Sequence, residues 1–62
     1  MQTFDFLAKA QKFCEDNGDG NWFRQLFTDY RHIYSIKDSI WYTLAYLYSD
    51  EGADQFFDKH WG

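Results

Sequence analysis

The residues from 39 to 49, SIWYTLAYLYS, carry no charge, although 26% of the chain is Asp, Glu, Lys or Arg. Read at 100° per residue across 36–49, Ile36, Ile40, Trp41, Leu44, Leu47 and Tyr48 fall on one wide apolar side. Ser39, Tyr42, Thr43 and Tyr46 fall on the other. A segment this apolar is expected to be a central helix that the rest of the chain wraps. At about 1.5 Å rise per residue it is too short to span a bilayer.

The remaining sequence supplies shorter amphipathic helices. Thr3 is a candidate N-cap for a first helix over 4–16, with Phe6, Leu7, Ala10, Phe13 and Cys14 on its inner face. Lys9 follows Asp5 by four residues, the favourable order for a helical ion pair. Asn17-Gly18 ends it, with Gly18 suited to the left-handed position. Asp19 or Asn21 caps a second helix over 22–32, whose apolar face is Trp22, Phe23, Leu26, Phe27 and Tyr30. The alternating segment 32–36 has no second strand to pair with and reads as a tight turn. Ser35 and Asp38 approximate a capping box for the central helix. Asp50 caps a last helix over 51–61, with Ala53, Phe56, Phe57 and His60 inward and Trp61 at its edge. The expected fold is all-α: a compact single-domain bundle of four short helices over residues 1–62. Seven Phe, five Tyr and three Trp make such a core feasible in a chain this short, because each buries about 150–250 Å².

One cysteine, Cys14, allows no internal disulfide and suits a reducing cytoplasm. Glu15 and Asp16 beside it disfavour a thiolate, so it reads as a small buried hydrophobe. Asp5 interrupts any secretory leader. There is no nucleophile–base pair and no phosphate loop, so the chain reads as a non-enzyme without a cofactor. His32 and His60 lack companion ligands at metal spacing. The segment 15–26 resembles a calcium loop aligned on Gly20, with Glu15, Asn17 and Asp19 at ligand positions. Leu26 stands where a bidentate Glu is needed, so at best weak calcium binding is expected.

The net charge is −4. Arg24, Arg31 and Lys37 are the only candidates for a basic cluster, which makes direct nucleic-acid binding the weaker expectation. Two other features point to a protein partner. Asp50, Asp54 and Asp58, spaced by four with Glu51 beside them, form an acidic stripe on the last helix. The plain reading of that stripe is a solvated face. The sharper one is a row of carboxylates that imitates phosphates and enters a basic groove on a nucleic-acid-handling protein. Tyr42 and Tyr46, one turn apart, are either covered by a neighbouring helix or form an aromatic contact site for a partner or a second copy.

The order of features resembles small bacterial and phage proteins of the YozE type, whose fold is similar to sterile-alpha-motif domains. The residues that carry the resemblance are Thr3-Phe4 with Phe6-Leu7, Gly18-Asp19 followed by the apolar run from Trp22 to Phe27 and then Asp29, Tyr46-Leu47, and Ala53, Phe56, His60 and Trp61. The resemblance implies four or five short helices and no settled activity, and it assigns no functional residue. The functional expectation is a small acidic, non-catalytic interaction module. Within that class the closest reading is an accessory protein of phage or mobile-element type that inhibits a nucleic-acid-handling machine. A small helical DNA-binding domain and a self-associating structural domain are the alternatives.

Overall fold

The computed structural model describes residues 3–61. They form four helices and, among the described residues, no strand: α1 (Thr3–Asp16), α2 (Gly20–Arg31), α3 (Ile36–Tyr48) and α4 (Asp50–His60). The bundle measures 25 × 24 × 20 Å. α3 is its axis: α1, α2 and α4 all pack on it, whereas α4 scarcely approaches α1.

The core is built at helical spacing. Phe6, Ala10 and Cys14 recur every four residues and are fully buried on α1, and Phe23 fills the same core from α2. Ile40 and Leu44 come from α3, and Ala53 and Phe56 from α4. Phe6 is the hub, with ring centroids 5.5 Å from Phe56, 4.7 Å from Phe57 and 4.9 Å from Trp61. The tilted and edge-to-face geometries are those that aromatic quadrupoles favour.

The ends follow local chemistry. Gly18 ends α1 at φ +83°, and the Asn17 side-chain amide donates to the Phe13 carbonyl at 3.0 Å. Ser35 caps α3 by accepting from the Asp38 backbone N–H at 3.2 Å. α3 and α4 are separated by Ser49 alone, which closes one helix and caps the next by accepting from the Gly52 N–H at 3.2 Å. That serine, not Asp50, is the cap of α4. Its φ of +90° with ψ of 161° lies in a region nearly reserved for glycine, at a cost of about 1–3 kcal/mol.

Several sequence expectations are corrected. Thr3 lies within α1 rather than capping it. Asp19 is the N-cap of α2, but its side chain makes no capping bond. The Asp5–Lys9 pair is replaced by Lys12–Asp16 at 3.3 Å. Phe13 and Trp22, expected on inner faces, are exposed. Ser39 and Thr43, expected on the same side as the two tyrosines, are completely buried. Their hydroxyls are satisfied within the chain: Thr43 donates to the Ser39 carbonyl at 2.7 Å and Ser39 to the Tyr34 carbonyl at 3.4 Å. Small side chains with locally paired hydroxyls are cheap to bury and let neighbouring helices close over them.

Candidate interaction surface

With Ser39 and Thr43 turned inward, α3 beyond Lys37 shows solvent only a narrow strip: Asp38, Tyr42 and Tyr46. Successive members are four residues apart and so lie one above another. Tyr42 is 37% exposed and Tyr46 67%, and neither is covered by α1 or α4. Tyr42 instead stacks on Tyr34, from the turn before α3, at a centroid distance of 4.4 Å and 25° between planes. Tyr30 of α2 joins from 5.5 Å. The Tyr34 phenol beside it, and more weakly the Asp38 charge, hold the Tyr42 phenol above its usual range. It is therefore a neutral hydroxyl and an aromatic face at physiological pH.

Asp50, Glu51, Asp54 and Asp58 are all exposed on α4. The stripe and the tyrosines are separate features in sequence. Trp41 joins them. Its ring meets Tyr42 edge-on at 5.3 Å, and its indole N–H donates to Asp54 Oδ1 at 2.8 Å. The result is one surface that runs from Tyr30 and Tyr34 across Tyr42 and Trp41 to the carboxylates of α4. Sequence reasoning places Trp41 in the core and leaves Tyr34 in a turn. The signal that could have found them is the recurrence of aromatics at 30, 34, 41 and 42 next to an acidic helix.

Elsewhere several charged side chains have local partners. Arg24 faces Glu15 at 3.6 Å and bonds the Asn21 side chain, and Arg31 donates to the Tyr34 carbonyl. The Lys37 ammonium sits 4.6 Å from the centre of the Trp61 ring, at cation–π range. In the loop aligned with calcium sites, Asp19 accepts from the Tyr48 hydroxyl at 2.7 Å and Glu15 accepts from the Gln11 amide at 3.4 Å. Among the described residues no three of His, Cys, Asp and Glu gather as metal ligands do.

Cys14 is buried beside this Asp19–Tyr48 bond. Burial, against the nearby Tyr48 hydroxyl, pushes its thiol up to about 11. Burial and the bond to Asp19 also raise the Tyr48 phenol. A thiol that is neutral at pH 7 and closed from solvent is not a nucleophile. This group instead ties the end of α1 to the end of α3.

Among the described residues no helix is long and apolar enough to cross a membrane. No family model, curated protein or solved structure matches this chain.

Proposed function

We propose that this chain is a small non-catalytic module whose aromatic and acidic face binds a basic surface on a partner protein. The observation that carries the reading is Trp41, which joins the tyrosine stack and the α4 carboxylates into one continuous patch. Exposed aromatics beside charge are what a binding surface needs: apolar area for affinity, and carboxylates for steering and register.

The finer reading is that the partner handles nucleic acid and that the carboxylates stand where phosphates would. Asp50, Asp54 and Asp58 are spaced about 6 Å along the helix axis. A DNA strand offers a phosphate about every 3.4 Å of axis. The stripe therefore carries roughly half the charge density of one strand, and the aromatic area makes up the affinity. The resemblance to YozE-type proteins belongs to the same proposal and adds no residue to it. Direct binding to nucleic acid is the poorer reading, because Arg24, Arg31 and Lys37 each serve a different neighbour.

The test is affinity capture from nuclease-treated host lysate beside a triple variant, Asp50→Asn, Asp54→Asn and Asp58→Asn. The amide introduced by Asp54→Asn retains an oxygen for the Trp41 N–H, and an unchanged amide spectrum checks that the variant is folded. Capture of a nucleic-acid-handling protein that the variant loses supports the reading. Capture that the variant retains removes the acidic stripe from it.

A further inference from the structure

α4 has a second flank, and its chemistry is the reverse of the first. Between α1 and α4 lies an open trough. Its deeper end has a volume of about 420 Å³ over a floor of Phe13, Leu44, Tyr48 and Phe56. It continues past the same Phe13 and Phe56 into a shallower end of about 410 Å³. Asn17 and Gly52 line only the deeper end, and Lys9 and Lys12 only the shallower one. Phe13 meets Phe56 and Phe6 meets Trp61, so the two helices run antiparallel as banks. From Lys9 to Asn17 the α1 bank is about 12 Å long, roughly two helical turns.

The rim is basic in a chain of net charge −4. Lys9 and Lys12 stand on the α1 bank and Lys59 on the α4 bank, against the single carboxylate of Asp16. Asp16 lies 3.3 Å from the Lys12 ammonium, which leaves Lys9 at the shallower end and Lys59 at the deeper end without a salt-bridge partner among the described residues. His60 lies over the floor, its ring 4.4 Å from that of Phe56.

The shape selects the occupant. A site for a small molecule encloses most of its ligand, and this one is open along its length. An apolar floor has no use for a phosphate backbone. An elongated groove with apolar floor and charged banks suits an amphipathic helix, which lays its apolar side chains on the floor and its charges on the rim. The α4 face of a second copy makes a poor occupant. Its acidic stripe on α4 carries no apolar anchor, and Tyr42 lies stacked on Tyr34 rather than projecting.

We propose that the α1–α4 trough is a docking groove for an acidic amphipathic helix of another protein, which inserts two apolar side chains one turn apart over Phe13 and Phe56 and sets its carboxylates against Lys9, Lys12 and Lys59. This site is independent of the acid-and-tyrosine face. The molecule would then carry two partner surfaces of opposite charge on the two flanks of one helix.

The test titrates isotope-labelled protein with a synthetic helical peptide bearing two leucines four residues apart and glutamates on its other positions. A twin peptide carries lysine in place of glutamate. The expected result is saturable shifts of the Phe13, Phe56 and His60 amides with the acidic peptide only. A Lys9→Glu, Lys59→Glu variant should bind it roughly tenfold or more weakly. Both lysines are exposed, so an unchanged amide spectrum will show the variant folded. Equal binding of the lysine peptide, or no shift in those amides with either peptide, overturns the proposal. Self-association of the protein that the double variant abolishes overturns it too, because the occupant is then a second copy.

Discussion

The two flanks of α4 are built from different material. Toward α3 it presents Ala53, fully buried, and a hydrogen bond from Trp41 to Asp54 spans the seam at 2.8 Å. Toward α1 it presents Phe56, whose ring meets Phe13 at 5.2 Å while the two helices stay apart. A small residue lets two backbones approach; two large rings prop them open. The closed seam fixes the acid-and-tyrosine face, and the open one leaves an apolar floor between lysines. One short helix thus acquires two surfaces of opposite sign, because its neighbours meet it with side chains of different size.

The largest effect should come from the residue that shuts the far end of the open seam. Phe6→Ala removes the hub between α1 and α4 and should cost about 3–5 kcal/mol in urea unfolding, enough to unfold much of a domain this small. A cost below about 1 kcal/mol would mean that α1 and α4 are not joined there. A matched pair probes the contrast directly. Ala53→Leu overfills the closed seam and should cost about 1–3 kcal/mol, whereas Phe13→Leu on the open seam should cost less than about 1.5 kcal/mol. Equal costs would erase the distinction. Trp41→Phe keeps an aromatic ring but loses the bond to Asp54, with an expected loss of about 0.5–1.5 kcal/mol.

The effect that is smallest at neutral pH, where it vanishes, is one of titration in alkali. The Cys14 thiol is raised from an ordinary 9.0 to about 11, so the folded state favours the neutral form. Its contribution is complete below about pH 9 and is lost as pH climbs toward about 11. Tyr48, raised in the same direction, adds to the loss. Urea midpoints should therefore fall above about pH 9, and Cys14→Ala should flatten the first part of that fall. A parallel fall in the variant would place the alkaline weakness elsewhere.

How much of this is legible from sequence follows from the range of each interaction. The four helices are, because Gly18, Ser35 and the spacing of Phe6, Ala10 and Cys14 act within a turn or two. The acid stripe is, since it lies within one helix. The burial of Ser39 and Thr43 is not, because their hydroxyls look polar until the Tyr34 and Ser39 carbonyls are seen to take them. The union of stripe and tyrosines is hidden because it rests on Trp41 reaching 13 residues along the chain to Asp54. The trough is hidden more completely. Its banks are the first and last helices, and no local pattern reports how far apart a third helix will hold them.

Ser49 sets the rotational phase of α4. With a single residue between the two helices, there is no slack in which an extra one could be absorbed. An insertion at that joint would turn α4 by roughly 100° about its axis. Phe56 would swing off the floor of the trough, and the whole helix would present the wrong chemistry to each neighbour. Surface connections commonly tolerate changes in length, but this one behaves as a keyed coupling. Chains that share this architecture should vary at the exposed positions of α4 and hardly at all in the count of residues between it and α3.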